Sequence, residues 1–422
     1  MTERIVITGT GAICAAGRGP DEIWAAAGTG QSAIGEVEEW NGRASNVRAG
    51  SVRDFNPLAL VADRKLHKWL HRTDMFGIYA AERAIDQSGI AVAREDFAQE
   101  QREAFNDRTA IFVGSGGGNY QNQYEFFPLM KESEGSLKEF GQELSSHINP
   151  LWLLQALPNN VLCHLGIRSG FKGPNACITN SGVGGSMAII EAAEAIAAGE
   201  TDRAVAVGHE APIEPQYVRY FRQLGLYAEQ ALRPFDAGPG GTILGEGASA
   251  LVLETEQSAL SHGAQTRGVF VGGACTSEDR GLLSLRADGD GLTRAIRLAL
   301  ENSGLGPRDV GVVVAHGNGN RLSDEAEIEA LRAVFGSTAP PVTSFKWLFG
   351  HLLAASGALS AVMALLCLRT RIVPGIATLT KLDPRYQGMP ISQKAQDVCG
   401  DFALVLSRGY TGTSAAMVLG RS

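Results

Sequence analysis

The chain has 422 residues, of which 44% are hydrophobic and 19% charged, and its formal net charge is −8. This length favours two fused halves or one large layered domain over a single simple core. The negative charge and the lack of a long basic stripe argue against nucleic-acid binding. We expect a cytoplasmic protein, because no secretory signal opens the sequence and the longest apolar run, 352–368, is shorter than the roughly 20 residues of a membrane span.

The first predicted strand, 4–8, leads into a glycine-containing turn, Gly9-Thr10-Gly11. A dinucleotide-binding turn has a third glycine, whereas this chain has Cys14 there. A second glycine-rich loop, 114–118, follows the predicted strand 109–113 but lacks the Gly-Lys-Ser/Thr of a phosphate-binding loop. We therefore expect no cofactor, and the glycines predict close backbone packing.

Strands and helices alternate along the rest of the chain. The predicted elements, in chain order, are helices 21–29 and 75–89, strand 109–113, a strand-turn-helix over 173–199, strands 203–207 and 248–254, helix 290–303, strands 310–315 and 342–344, and helix 352–368. This alternation is typical of a layered α/β fold. A strand-turn-helix in each half, at 176–198 and 342–368, suggests an internal duplication.

The turn inside 173–185 has the context of a nucleophile elbow, but its tip is Gly182, which has no side chain that could attack a substrate. The neighbouring Ser181 has no evident base. Cys177 lies five residues earlier on a strand, roughly 16 Å away and on the opposite face. We expect neither residue to serve as the nucleophile.

The six cysteines show no metal-ligand spacing, and most lie in apolar runs. They are typical of buried thiols in a reducing compartment, and no metal site is expected.

Two histidines stand next to glycines at the ends of predicted elements. His316 ends the strand 310–315 and precedes Gly317, and His351 follows Gly350 at the predicted start of helix 352–368. A helix N-terminus favours a neutral imidazole that can donate to a developing anion. A glycine-rich turn, 407–414, lies near the end of the sequence.

Seven motifs together resemble the β-ketoacyl synthase family, which elongates fatty acids and polyketides on acyl carrier protein. They are Val6-Ile7-Thr8-Gly9, Gly173-Pro174, Arg233-Pro234-Phe235-Asp236, Leu244-Gly245-Glu246-Gly247-Ala248, Ala315-His316-Gly317, Lys346 with Gly350-His351, and Gly409-Tyr410-Thr411-Gly412-Thr413. The likeness covers nearly the whole chain. It implies an α/β fold of the thiolase type, with five layers, α-β-α-β-α, from two duplicated halves that we expect at 1–257 and 258–422.

The resemblance also implies roles. In the family a cysteine at the elbow accepts the acyl chain, and two histidines assist decarboxylation of the malonyl unit and stabilise the enolate and oxyanion. A lysine and a glutamate support them. By resemblance the histidines are His316 and His351, the lysine is Lys346 and the glutamate is Glu327, whereas the cysteine position falls on Gly182.

A subclass of the family fits this loss. Type II polyketide systems pair a cysteine-bearing ketosynthase with a homologue that lacks the cysteine, called the chain length factor or β subunit, and Val183-Gly184-Gly185 resembles this subclass. Chain length factors of aromatic pathways generally lose the histidines, which remain here, so a reducing polyene-type system is favoured. The expected partners are a ketosynthase α subunit, in a heterodimer, and an acyl carrier protein.

Two sets of residues are expected to contact substrate or partner. Tyr120, Tyr124 and Phe127 have the spacing of one helical face and, with Tyr410, are predicted to line the product tunnel; ordinary core packing is the alternative. The basic residues predicted to dock an acidic partner surface are Arg64, Lys65, Lys68 and Arg72, for which a solvated helix face is the alternative.

Two other functions remain open from the sequence. One is a malonyl-carrier-protein decarboxylase that uses His316 and His351, since decarboxylation does not require a thiolate. The other is a homodimeric acyl-chain-binding protein.

Overall fold

The computed structural model describes residues 3–40, 43–117, 126–281, 283 and 285–422. The strands of this part of the chain are β1 (Ile5–Cys14), β2 (Gly35–Trp40), β3 (Arg43–Ala49), β4 (Thr109–Ser115), β5 (Asn175–Ile178), β6 (Arg203–Glu210), β7 (Gly247–Thr255), β8 (Gly268–Ser277), β9 (Val310–Val314), β10 (Val342–Thr343), β11 (Ile372–Val373), β12 (Gln396–Asp397), β13 (Phe402–Arg408) and β14 (Thr413–Gly420).

Its α-helices surround and separate these strands. They are α1 (Pro20–Thr29), α2 (Pro57–Leu60), α3 (Arg72–Ser88), α4 (Ile90–Ala93), α5 (Gln99–Asp107), α6 (Phe127–Glu132), α7 (Leu137–His147), α8 (Trp152–Ala156), α9 (Asn160–Ser169), α10 (Gly184–Ala197), α11 (Pro215–Gln223), α12 (Glu256–Ser261), α13 (Asp290–Ser303), α14 (Arg321–Phe335), α15 (Lys346–Phe349) and α16 (Ser356–Thr370). Short 3-10 helices occur at Ser181–Val183, Pro307–Asp309, Leu353–Ala355 and Pro384–Tyr386.

Ten strands form one mixed sheet in the order β10-β9-β13-β14-β8-β1-β7-β6-β4-β5. From the centre of the sheet towards each edge, the strands follow the same succession of antiparallel and parallel pairings. On one side β1 and β7 are antiparallel, β7 and β6 are antiparallel, and β6, β4 and β5 run parallel. On the other side β8, β14, β13, β9 and β10 repeat these directions in turn. The predicted boundary at 257/258 stays a prediction, and it falls between β7 and β8.

Helices cover both faces of this sheet and fill its centre. Helix α3 packs on β1, β6 and β7, and α13 packs on β8 and β14. Helices α10 and α16 pack against each other between the two sets of strands. One segment of the described chain, Leu353–Thr370, is long and apolar enough to cross a membrane. It includes α16 and is 89% buried, because its mostly apolar side chains pack inside the fold. The predicted thiolase-type α/β fold is confirmed.

The glycines that follow the first predicted strand allow β1 to lie against a helix. A Cβ atom on Gly9 would lie 2.0 Å from the carbonyl oxygen of Ala84, and one on Gly11 would lie 1.9 Å from that of Ala80. Both carbonyls belong to α3, so the bare backbone of β1 packs directly on this helix. The glycines therefore serve packing, as the sequence predicted.

Several predictions about local structure were wrong. The helix expected to begin at 352 begins at Ser356, because His351 is extended and its amide donates to the carbonyl of Ile243. The basic segment 64–69 forms consecutive turns instead of a helix face, with hydrogen bonds such as His67 N to Arg64 O.

The cysteines also differ from the prediction. Cys14 and Cys367 are buried, but Cys163, Cys275 and Cys399 are exposed. Cys275 occupies an outward-facing position of β8, where a two-residue alternation leaves one side chain towards solvent. The position of a cysteine in an apolar run of the sequence therefore did not predict that its thiol is buried.

We predict that Gly11→Ala lowers the free energy of unfolding by about 1–3 kcal/mol, because β1 or α3 must shift to admit the methyl group. Gly28→Ala is the matched control. It lies in α1 with nothing within 4 Å of its Cβ position, and it should be neutral or stabilising by up to about 1 kcal/mol. Urea unfolding of both variants checks this, and equal effects would contradict it.

Candidate active site

The candidate residues gather where parallel strands end. His316 follows β9, Lys346 follows β10, Arg408 ends β13, and Gly182 follows β5. Ligands in open α/β sheets bind outside the carboxyl ends of such strands. All four residues are buried, with His316 and Lys346 exposed by only 1% and 2%.

Two buried charges hold the backbone of His316. The carboxylate of Glu327, on α14, accepts hydrogen bonds from the amides of His316 (2.7 Å) and Gly317 (2.8 Å). The Nζ atom of Lys346 donates to the carbonyl oxygen of His316 at 2.5 Å. Burial raises the pKa of Glu327 and lowers that of Lys346. Both residues therefore orient His316 through its main chain and leave its ring free to meet a ligand.

The hydrogen bonds of both imidazoles fix the same tautomer. Nδ1 of His316 accepts from the amide of Arg408 at 3.2 Å. Nδ1 of His351 accepts from the amide of Leu353 at 3.0 Å and lies 3.0 Å from the Ser356 hydroxyl. The ring proton must then be on Nε2 in each case, because a neutral imidazole has one donor and one acceptor. The ring centroids are 5.2 Å apart.

This arrangement suits the stabilisation of a developing anion. Nε2 of His351 is buried and has no hydrogen-bond partner among the described residues. Burial, with Lys346 nearby, lowers the pKa of His316 and of His351 well below the usual value. The two rings therefore present neutral N–H donors, as in an oxyanion hole. The two histidines singled out in the sequence thus lie side by side, and burial is the main reason that both stay neutral.

At the elbow, the backbone of Arg408 fills the space that a side chain at position 182 would need. A Cβ atom on Gly182 would lie 2.6 Å from the carbonyl oxygen of Arg408 and 3.6 Å from Cα of Gly409. Real Cβ atoms do not approach backbone oxygens this closely, so Gly182 and the chain at Arg408 fit each other. The same stretch of backbone thus contacts the elbow through its carbonyl and His316 through its amide.

The neighbouring candidates for a nucleophile are not activated. Burial raises the pKa of Cys177 to about 11, and its thiol donates to the carbonyl of Pro158 at 3.3 Å. A thiol attacks as its thiolate, which this environment disfavours. Ser181 begins the 3-10 helix at the elbow with φ 36°. Among the described residues, no hydrogen bond from its hydroxyl to a base is present.

Sequence reasoning missed Arg408 and Glu278. Arg408 lies at the end of the apolar strand β13 and is only 2% exposed. Its Nη2 atom is 2.7 Å from Oε1 of Glu278, which is also buried. A charged residue at the buried end of an apolar strand was the available signal, but the partner is 130 residues away and has no sequence pattern that links it.

The remaining predicted site residues differ in where they lie. The Tyr410 ring lies 6.0 Å from that of His351, so Tyr410 belongs to the site. Phe127 is the first residue of α6 and is 52% exposed, whereas Tyr120 and Tyr124 fall outside the described residues. The tunnel role of these residues stays a prediction.

The basic residues separate into two groups. Arg64, Lys65 and Lys68 are exposed on the turns before α3. Arg72 differs, because its Nε and Nη2 atoms bind the buried carboxylate of Glu246 at 2.8 and 2.5 Å. Its guanidinium is committed to this ion pair, which leaves the other three cations as the predicted docking surface. No group of three or more potential metal-ligating side chains occurs in the part of the chain that the structure describes.

Comparison with known families agrees with this geometry. The family model for the N-terminal domain of β-ketoacyl synthase matches residues 2–259, and that for the C-terminal domain matches residues 267–380. The chain belongs to the β-ketoacyl synthase family. A curated member, 3-oxoacyl-[acyl-carrier-protein] synthase 2 of Staphylococcus aureus (strain COL), is 28% identical over 427 residues, which cover 99% of this chain and 98% of the relative.

Solved structures share the fold over the full length. The ishigamide ketosynthase/chain length factor has a TM-score of 0.88 at 22% identity, with 100% of both chains covered. A type II polyketide synthase acyl-carrier protein in complex with its ketosynthase bound to the hexaketide has a TM-score of 0.83 at 23% identity, again with 100% of both chains covered. At these identities the likeness establishes the fold.

We predict that Gly182→Cys does not restore acylation, because Arg408 occupies the space that the side chain needs. The variant should lose about 1–3 kcal/mol of unfolding free energy. Gly182→Ala adds the same Cβ atom without sulfur and should lose a similar amount. Intact mass after incubation with acylated carrier protein measures the adduct. A stoichiometric acyl adduct on a fully stable Gly182→Cys protein would refute the prediction that Arg408 leaves no room for a side chain at this position.

We predict that both imidazoles stay neutral, with the proton on Nε2, as the pH falls through the usual range of histidine titration, because burial lowers the pKa of both rings. In the unfolded chain the same rings titrate near pH 6.5, so protonation below that pH favours the unfolded state. Histidine nitrogen NMR measures this directly, with assignment from His316→Gln and His351→Gln and urea-unfolded protein as the reference. A ring that titrates near its unfolded value would contradict the prediction.

Proposed function

We propose that this chain is the non-elongating partner, or chain length factor, of a heterodimeric ketosynthase that condenses malonyl units on acyl carrier protein. The observation that carries this proposal is the elbow, where Gly182 and the carbonyl of Arg408 leave no room for a nucleophile. The fold, the elbow and both histidines are otherwise kept. A subunit of this kind contributes walls and contacts to an assembly whose chemistry occurs in its mate.

The comparisons support such a partner role. One full-length structural relative is named a ketosynthase/chain length factor, and another is a ketosynthase in complex with a type II acyl-carrier protein. The curated relatives are named 3-oxoacyl-[acyl-carrier-protein] synthase 2. The retained His316 and His351 fit a lineage near those enzymes, and hence a reducing, polyene-type pathway over an aromatic one.

The surface supports assembly with a second subunit. Of the fifteen exposed large hydrophobic side chains among the described residues, seven fall between 127 and 167. The adjacent strand β5 lies at the end of the sheet and bonds only to β4 within the described chain. Exposed apolar side chains beside an open strand edge are typical of a surface that another chain covers. We assign this surface, which we call the 127–178 face, to the ketosynthase mate.

Carrier protein is assigned to the basic turn that adjoins this face, where Gln155 donates to the carbonyl of Lys68 at 2.6 Å. Arg64, Lys65 and Lys68 project from the turns before α3 and are exposed. Three cations in five residues suit an acidic partner by charge complementarity. Phe127, at the start of α6, and Tyr410, beside His351, are assigned to the lining of the product tunnel.

Co-expression with candidate ketosynthases from the same source tests the proposal. We expect a one-to-one mixed dimer that elongates, a ketosynthase that elongates poorly by itself, and no acyl adduct on this chain by intact mass. Release of CO₂ from malonyl-carrier protein by the isolated chain, abolished in His316→Ala, would instead establish a decarboxylase. A stable homodimer that ignores every ketosynthase would favour an acyl-binding protein.

We predict that Leu153→Glu, on the 127–178 face, weakens the mixed dimer at least about tenfold, because a carboxylate would be buried against apolar surface. Leu153 is 60% exposed in this chain. Leu260→Glu is the matched control, since Leu260 is 75% exposed on α12, outside that face, and should leave the dimer unchanged. Analytical ultracentrifugation measures both. Equal dimerisation of the two variants would place the interface elsewhere.

A further inference from the structure

A cavity of about 60 Å³ lies over His316. One wall is apolar and consists of Leu226, Leu283, Leu285 and Leu322. Leu283 and Leu322 are 42% and 66% exposed, so this wall reaches the surface. The other wall is polar and includes Asn318, Asn320, Arg408 and Tyr410. The cavity thus has an apolar wall that reaches the surface and a polar wall, called the floor below, at the candidate active site.

The floor offers hydrogen-bond donors, and the side-chain oxygens of its two asparagines already accept hydrogen bonds. The side-chain oxygen of Asn318 accepts from the amide of Asn320 at 2.9 Å. The side-chain oxygen of Asn320 accepts from the amides of Leu322 and Ser323 at 3.1 and 3.3 Å. Nδ1 of His316 accepts from Arg408, which leaves the Nε2 proton as a donor. A ligand with acceptor atoms would complement these donors.

Arg408 provides the strongest of these donors. A guanidinium has five N–H groups, of which Nη2 is bound to Glu278 at 2.7 Å and Nη1 to the Ser323 carbonyl at 3.4 Å. Its Nε atom is buried and has no hydrogen-bond partner among the described residues. A buried donor without an acceptor is unfavourable, so a bound acceptor at this position would complete the site.

The charged groups around the cavity hold the Arg408 guanidinium in place but leave some of its N–H groups without a partner. Glu278 also accepts from the amide of Arg286 at 2.9 Å, and so the ion pair is tied to the loop after β8. Asp324, on α14, does not line the cavity; its carboxyl accepts from the amides of Phe235 and Gly319, and burial raises its pKa to about 8. Lys346 adds a cation behind His316. A fork-shaped guanidinium can bind a second carboxylate through its remaining N–H groups.

We propose that Arg408 is a specificity-determining residue, which makes this cavity select a short acyl thioester that ends in a carboxylate and hold that carboxylate intact. The proposal deepens the proposed function, on which it rests, by naming what the vacant site binds. The thioester carbonyl meets the Nε2 proton of His316, which lines the cavity, and the carboxylate meets Nε and the free N–H groups of Arg408. Both contacts use donors that have no partner in the described chain.

The position of the positive charge determines the outcome for the carboxylate. In decarboxylation the bond between the carboxylate carbon and Cα breaks, CO₂ leaves, and the electron pair passes to the thioester enolate. The negative charge therefore moves away from the carboxylate in the transition state. A guanidinium bound to the carboxylate stabilises the starting state more than the transition state and slows the reaction. The subunit would thus bind such a thioester without consuming it.

The test compares two pantetheine thioesters of similar size. Malonyl-pantetheine ends in a carboxylate, and acetoacetyl-pantetheine has an uncharged methyl ketone in its place. We expect the full chain to bind malonyl-pantetheine at least about tenfold more tightly, measured by calorimetry and by ligand-induced shifts in Tm. The wild-type chain should release no CO₂ above the rate in buffer. Neither measurement requires a ketosynthase mate, so failure here is distinguishable from failure of the mixed dimer.

Variants locate the preference. Arg408→Met with Glu278→Gln removes both charges of the buried pair, so that neither is left unpaired, and should bind the two thioesters equally. Arg321→Met is the control, because Arg321 is a nearby cation whose Nη2 donates to the carbonyls of Ala237 and Gly238 and does not line the cavity. It should keep the preference. Equal binding by the wild-type chain, a preference retained in the double variant, or CO₂ release by the wild type would overturn the proposal.

Discussion

The backbone at Arg408 is the constraint on which the candidate site depends. Its amide donates to Nδ1 of His316 and so fixes the tautomer of that ring, while its carbonyl lies against the α-carbon of Gly182. One peptide segment therefore ties the elbow of the first half to the histidine of the second. Any side chain at the elbow would push on this segment and disturb the imidazole at the same time.

The repeated pattern of strand pairing explains how both halves of the chain contribute to one site. Each half sends parallel strands towards the same region, and the loops that follow β5, β9, β10 and β13 meet there. The two buried charges nearest His316 are used on its main chain, because Glu327 accepts two amides and Lys346 donates to the carbonyl. The ring is thereby held rigidly, and its neutral state follows from burial.

The sequence predicted those parts of the site that depend on local pattern. The strand-turn-helix around Gly182 and the strand before His316 follow from apolar runs and glycines, and both are present. The start of the last long helix was misplaced because His351 is extended by a bridge to Leu244, which lies 107 residues away in a segment with no matching signal. The pair of Arg408 and Glu278 was missed for the same reason: pairing across distant segments leaves no periodicity in one sequence.

The two edges of the ten-stranded sheet are unlike each other. At β10 the amide of Val342 donates to the carbonyl of Pro390, and Val342 bridges to Ile391, so the chain itself shields that end. At β5 no described strand takes the outer position. Strand addition can thus extend the sheet in one direction only, and joining two such open ends uses both of them. Assembly by this route terminates at a closed pair and cannot propagate into a fibre.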